Sequence, residues 1–313
     1  VRDDGQNLGA GGPRPHGRVV AIVGPTAAGK SDLAIDVVAS LGDGVAEIIN
    51  ADSMQLYRGM DIGTAKVPLA DRRGIPHHLL DIWDVTRAAD VASYQRDARA
   101  VVDRLLGEGR VPVLVGGSGL YLRAVLDDLD FPGTDPAIRA GLEEQLSRVG
   151  AEALHAHLAA VAPDAATAIL ATNGRRIVRA LEVVALTGGF AARLPEHRSR
   201  YDVAIIGVDR PDLDDRITLR VDRMWAAGLV DEVRELDKAG LSTGRTAPRA
   251  LGYAQVLGWL RGEFGSEADA RTATVTATRR FARRQRSWFK RDPRISWLEQ
   301  PDVGAVRRLV GSS

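Results

Sequence analysis

The sequence contains no cysteine. Disulfide cross-links and cysteine-held metals are therefore excluded. It also has no run of about eighteen apolar residues, which rules out a transmembrane helix and a membrane partner of that kind. Its first residues lack the apolar stretch of a secretory signal, so a cytoplasmic enzyme is expected. Charge of one sign is missing too: the net charge is +1, which announces no polyanionic partner by itself. What is present is ordinary for a globular protein, with 45% hydrophobic and 27% charged residues. The 313 residues are enough for one large domain, or for a domain with a second one inserted.

Residues 1–17 (VRDDGQNLGAGGPRPHG) hold almost nothing large and apolar. A flexible leader is expected there, and the same caution extends to Gly311, Ser312 and Ser313. Beyond it, Arg18 to Val23 (RVVAIV) reads as a strand that stops at Gly24 and Pro25. From Lys30 to Leu41 the apolar residues take helical spacing. Glu47 to Asn50 and Val111 to Val115 read as further strands, and Tyr94 to Leu106 as an amphipathic helix. Continuous apolar strands joined by helices imply a parallel sheet covered on both faces. From Asp135 to Thr187 the pattern is wholly helical, and strand character returns at Tyr201 to Val208. Two more helices are expected near Asp212 to Ala239 and Ala268 to Lys290. The resulting expectation is an α/β fold, a P-loop NTPase-like parallel sheet flanked by helices, with an inserted all-helical domain. The core would span 18–130 and 200–300, and the insertion 131–199.

Gly24, Pro25, Thr26, Ala27, Ala28, Gly29, Lys30 and Ser31 match the pattern G-x-x-x-x-G-K-[ST] between a strand and a helix. The glycines let backbone N–H groups converge on phosphate oxygens. Lys30 adds a point charge, the Ser31 hydroxyl can ligate Mg²⁺, and the helix directs its positive end at the anion. The loop selects a phosphate chain and not its bearer: ATP, GTP or a non-nucleotide diphosphate would all fit. Asp52 follows the strand EIIN, at the end of a sheet where ligands bind. It could be a Mg²⁺ ligand, a general base, or merely a helix cap. Asp209 ends another apolar run and is a competing carboxylate.

Several segments in order resemble the tRNA dimethylallyltransferases. They are GPTAAGKSDLAI at the loop, IINADSMQLYRGMDIGTAK after the second strand, PHHLLDI, VLVGGSGLYLRAVL, RRIVRALEV and ATRRFARRQRSWF. The resemblance runs from about Val19 to Phe289. It implies transfer of the dimethylallyl group of dimethylallyl diphosphate to N6 of adenosine 37 in tRNA, with diphosphate released and Mg²⁺ as cofactor. On that resemblance Asp52 is the general base. Lys30 and Ser118 (where most members have threonine) act beside it, and Arg216 and Arg220 approach the diphosphate. Asp52, Ser53, Met54 and Gln55 face the target base, which must be extruded from a stacked loop. Arg139, Arg175, Arg176 and Arg179 would hold the anticodon stem-loop, with Arg175 standing where the family has glutamine.

Arg279, Arg280, Arg283, Arg284, Arg286, Lys290 and Arg291 form a basic stripe with Trp288 and Phe289 interleaved. Such a stripe suits a phosphate backbone. His77 and His78 are adjacent without a suitably spaced third ligand, so a metal role is not expected. Trp83, Trp225, Trp259 and Trp297 are expected in the core. A monomer is expected. Three rivals carry different expectations. A P-loop small-molecule kinase needs an arginine-bearing lid. An adenylate isopentenyltransferase acting on free AMP or ATP has no use for a large helical insertion. A non-enzymatic RNA-binding protein has no use for Asp52 beside an intact phosphate loop.

Overall fold

The computed structural model describes residues 17–190 and 196–311. The expected leader therefore lies outside the described residues except for Gly17, as do Ser312 and Ser313. Gly311 is different from the expectation, because it closes a helix over Val303–Gly311.

In chain order the strands are β1 (Arg18–Val23), β2 (Ala46–Asn50), β3 (His77–His78), β4 (Val111–Gly116), β5 (Asp202–Val208) and β6 (Ile295–Leu298). They form one sheet in the order β3-β2-β4-β1-β5-β6, with every pair parallel. The helices are α1 (Lys30–Leu41), α2 (Val91–Gly107), α3 (Gly119–Leu126), α4 (Pro136–Val161), α5 (Pro163–Ala168), α6 (Gly174–Thr187), α7 (Leu213–Ala226), α8 (Leu229–Lys238), α9 (Tyr253–Leu260), α10 (Glu267–Phe289) and α11 (Val303–Gly311).

The central strand β1 shows why its sequence is continuously apolar. Val19, Ala21 and Val23 pack on one face with Tyr94, Ala98 and Leu105 of α2. Val20 and Ile22 pack on the other with Leu33, Ile35 and Val37 of α1 and Val306 of α11. Alternate side chains enter opposite cores, so neither set can be polar. Caps fix the helix starts. Asp90 accepts from the backbone N–H of Ala92 and Ser93 at the start of α2, and Ser266 accepts from Asp269 at the start of α10.

The chain divides into two compact units. One holds the described residues up to Leu126 and from Ser199 onward, and the other is Asp127–Arg198. Where the first unit is interrupted, its two ends are neighbours: the Arg200 N–H donates to the Leu126 carbonyl at 2.7 Å. The second unit is built from α4, α5 and α6 around Leu154, Leu158, Ile169, Ile177 and Leu181. α4 is broken at Gly150, whose φ of 81° lies in the left-handed region that glycine tolerates.

Some local readings change. The segment near Asp212 to Ala239 is two helices, α7 and α8, separated at Gly228 with φ 98°. Trp83 is core, but Trp297 is 37% exposed on edge strand β6. It lies across Gly207 of β5, where an added Cβ would stand 2.5 Å from the indole. His77 and His78 form β3, whose two residues were too short to show a strand pattern. His78 pairs with Glu47, a carboxylate in the sheet that is 4% exposed and also receives Arg110 at 2.5 Å. The His77 Nδ1 lies 2.8 Å from the Ile75 carbonyl.

Candidate active site

Four strands deliver their carboxyl ends to one place, as open α/β sheets do. β1 leads into the Gly24–Ser31 loop, β2 into Asp52, β4 into Gly117 and Ser118, and β5 into Asp209. The loop needs its glycines sterically. A Cβ on Gly24 would stand 2.2 Å from the Val208 carbonyl oxygen, and Gly29 has φ 91°. Lys30 folds over the loop and donates to the Pro25 carbonyl at 2.7 Å. From α7, Arg216 donates to the Ala27 carbonyl at 2.8 Å and Arg220 to the Thr26 hydroxyl at 3.3 Å. The two α7 arginines thus meet the phosphate loop itself.

Gln285 is a site residue that the sequence reading missed. Its Oε1 accepts from the Thr26 N–H at 2.9 Å, and its Nε2 donates to the Gly117 carbonyl at 2.9 Å. One buried amide therefore ties the phosphate loop to the loop after β4. Gly117 must be glycine for this, since a Cβ would stand 2.3 Å from the Gln285 amide. In sequence Gln285 looked like an uncharged gap in a basic helix, and nothing local marked it.

Asp52 is not a helix cap. Its Oδ1 accepts from the Met54 N–H at 2.9 Å in a local turn, and no helix follows. Asn50 braces the turn from both sides. Its Oδ1 accepts from the Asp52 N–H at 2.9 Å, and its Nδ2 donates to the Asp52 and Leu79 carbonyls at 3.0 Å each. Gly116 lets β4 approach, because a Cβ there would meet the Ala51 carbonyl oxygen at 2.2 Å. Ser118 belongs to the same cluster. Its Oγ accepts from the Ser53 N–H at 3.2 Å and lies 3.3 Å from the Ser53 hydroxyl.

Two cavities meet at Asp52. One, about 650 Å³, is lined by Thr26, Gly29, Lys30, Ser31, Gln55 and Arg220. The other, about 310 Å³, is lined by Ser53, Met54, Ser118, Met224, Leu251 and Phe281. Asp52, Thr26, Thr64 and Arg220 line both. Asp209 lines neither. The Arg286 Nε donates to its two carboxylate oxygens at 2.7 and 2.9 Å. The two carboxylates left open by spacing are thereby separated: Asp52 faces the cavities, and Asp209 is neutralised by a helix arginine.

The electrostatics match an anion site. Removal from water, and then the Arg220 charge beside it, pull the Lys30 ammonium down to about 7. Burial pushes the Asp52 carboxyl above its usual range, against the pull of its backbone hydrogen bonds and Lys30. Burial also lowers Arg220. Cations held this close and out of water favour binding an anion. Hard oxygen donors suited to Mg²⁺ are present as well: the Ser31 hydroxyl and the Asp32 carboxylate line the same cavity. That set fits an ion held mainly by phosphate oxygens and water.

The basic residues divide. Arg279 donates to the Asp214 carbonyl and the Thr218 hydroxyl, and Arg286 is committed to Asp209 and the Arg210 carbonyl. These two brace α10 against α7 and the end of β5. Arg280 lines an open cavity beside Phe264, and Arg284 lines both that cavity and the one with Asp52. In the helical unit, Arg139 and Arg179 both pair with Glu182, which is 0% exposed. Arg179 also donates to the Pro132 and Gly133 carbonyls. Their guanidinium groups hold α4, α6 and the preceding segment together, an internal role that sequence alone did not suggest. Arg175 and Arg176 are exposed.

Comparison with known proteins gives a consistent result. The family model described as IPP transferase matches residues 55–292. A tRNA dimethylallyltransferase of Frankia casuarinae is 70% identical over 293 residues, covering 94% of this chain and 100% of the relative. One from Thermobifida fusca is 65% identical, covering 91% of each. Among solved structures, a tRNA isopentenylpyrophosphate transferase from Bacillus halodurans superposes with a TM-score of 0.67 at 36% identity, covering 93% of this chain and 94% of its own. A eukaryotic dimethylallyltransferase acting on tRNA gives a TM-score of 0.75 at 25% identity, covering 94% and 76%.

Proposed function

The chain belongs to the IPP transferase family, and on that premise we propose that it is a tRNA dimethylallyltransferase. It moves the dimethylallyl group of dimethylallyl diphosphate to N6 of adenosine 37. The observation that carries the reading is Asp52, the carboxylate shared by a cationic phosphate-loop cavity and a more apolar one. A prenyl diphosphate has just these two halves, and the acceptor amine must meet them where they join.

In the reaction the bond from N6 to the allylic C1 forms as the C1–O bond breaks. The bonding pair leaves with the diphosphate, and the N6 proton passes to Asp52. Adenine N6 is a weak nucleophile because its lone pair is delocalised into the ring, so a positioned base lowers the barrier. The raised affinity of Asp52 for protons suits it to accept one. Lys30, Arg220 and the loop amides stabilise charge gathering on the departing diphosphate. The short bonds from Lys30 and Arg216 to loop carbonyls keep these cations preorganised beside the loop. Mg²⁺ held by Ser31 would add a further positive charge there. Ser118, hydrogen-bonded to the Ser53 N–H, orders the turn that presents the base to the acceptor. Exposed Arg175 and Arg176, with Arg280 and Arg284, contact the RNA backbone, while Ser53, Met54 and Gln55 meet the extruded base. The free-nucleotide alternative is disfavoured by relatives named for tRNA.

Incubation with unmodified tRNA and dimethylallyl diphosphate, followed by nucleoside mass analysis, tests the proposal. Prenylated adenosine is the expected product. Its absence, together with phosphate transfer from ATP, would reassign the loop to a kinase.

A further inference from the structure

One carboxylate outside both cavities has an unusual set of partners. Glu232 lies on α8 between Leu229 and Val233, which are both fully buried. Its Oε2 accepts from the backbone N–H of Asp61 at 3.1 Å and of Ile62 at 2.7 Å. Its Oε1 accepts from the Gly63 N–H at 3.2 Å and from the Tyr253 hydroxyl at 2.5 Å. Three consecutive amides and a phenol therefore converge on one charge. Bonds of this kind are about twice as strong as neutral ones. The Tyr253 ring is fully buried, and burial together with Glu232 pushes its hydroxyl well above the usual range, so it stays a donor. Gly63 is required for the approach, since a Cβ there would stand 2.4 Å from that ring.

The segment so gripped leads directly to the reaction site. The Ala65 N–H donates to the Ile62 carbonyl at 3.0 Å, and the Lys66 N–H to the Asp61 carbonyl at 2.9 Å. The Lys66 ammonium donates to Asp61 and Asp81 at 2.6 Å each. The turn over 61–66 is thus tied together internally. Its Thr64 carbonyl accepts from Gln55 Nε2 at 3.1 Å. That bond settles which end of the Gln55 amide is spent, and it leaves the oxygen for a donor on the acceptor base.

We propose that Glu232 is a positioning residue for prenyl transfer: it fixes the 61–66 turn so that the Thr64 carbonyl orients the Gln55 amide beside Asp52. This role rests on the transferase reading above. Glu232 touches no substrate and acts through Gln55.

The test is a double-mutant cycle on the full chain, with kcat, the KM for tRNA and the affinity for inorganic diphosphate measured for each protein. Glu232→Gln keeps the size and removes the charge. It is expected to lower kcat/KM for tRNA about tenfold, the effect of about 1.4 kcal/mol, with a smaller change in diphosphate affinity. In a Gln55→Ala background the same substitution is expected to cost almost nothing further. Additive losses, or a fall in diphosphate affinity as large as that in kcat/KM, would overturn the proposal and leave Glu232 a general stabiliser. Should Glu232→Gln fail to fold, Tyr253→Phe removes one donor and leaves the carboxylate on its three amides. The cycle with Gln55→Ala then decides in the same way, with a smaller loss. Wild-type protein in the same assay separates the two levels. No prenylation by wild type removes the function and this role together, whereas wild-type prenylation with additive losses removes only the role.

Discussion

Lys30 offers a direct physical test of the site, because its ammonium is held at about 7 against an ordinary 10.5. The shift corresponds to roughly 5 kcal/mol between protonation states. A diphosphate bound on the loop supplies the missing negative charge and returns the amine toward its ordinary value. At pH 8 only about a tenth of the free-site amine carries a proton, so binding takes up about 0.9 proton there. At pH 6 the amine is already charged and the uptake from it vanishes. The part of the affinity for inorganic diphosphate that depends on Lys30 should therefore be flat below pH 7 and fall as pH rises above it. Calorimetry in buffers of different ionisation enthalpy measures the uptake, and Lys30→Met subtracts the ligand's own titration. A wild-type uptake equal to that of Lys30→Met at pH 8 would refute the reasoning. Stability carries the same signature. The free folded state binds the proton more weakly than the unfolded chain, so Lys30 makes stability rise with pH between about 7 and 10.5. Below pH 7 the penalty is complete, and there Lys30→Met should be the more stable protein.

Three further outcomes are expected. Asp52→Ala should bind tRNA normally in a filter or gel assay yet lose about 10²- to 10⁴-fold in transfer, and full activity in that variant would remove the base assignment. Gln285→Leu leaves the Thr26 N–H and the Gly117 carbonyl without their partner, which costs about 1–3 kcal/mol each where they are buried. Diphosphate affinity should drop at least tenfold on that scale, and an unchanged dissociation constant would show that the loop holds its shape alone. Affinity for tRNA should fall steeply with salt, with a smaller slope for the Arg175→Ala, Arg176→Ala double variant. Equal slopes would take those two arginines off the RNA.

The parts of the site that could be read in sequence are those whose chemistry is local. Gly24 to Ser31 are consecutive, and their flanking strand and helix have strong apolar patterns, so the loop declares itself. Asp52 is legible by its position after β2, although its role needed the resemblance and its separation from Asp209 needed Arg286 in space. Gln285 and Glu232 were invisible for one reason. Each acts by bridging backbone groups far away in the chain, and a bridging amide or carboxylate leaves no spacing rule behind. The same holds for Arg139 and Arg179, whose shared buried partner, Glu182, shows only in space. Strands β3 and β6 escaped because edge strands of two and four residues are too short to show a period.

The hydrogen bond between Arg200 and Leu126 has a consequence for how this architecture can change over time. The chain leaves the catalytic core and comes back to it at a single doorway, so the sheet and its loops are complete without what lies between. Closing a longer or shorter excursion across that doorway costs only a slowly growing entropy. Residues 127–198 are therefore a replaceable cartridge. Selection can lengthen, trim or recharge it while the sheet and the loops at its carboxyl ends stay as they are.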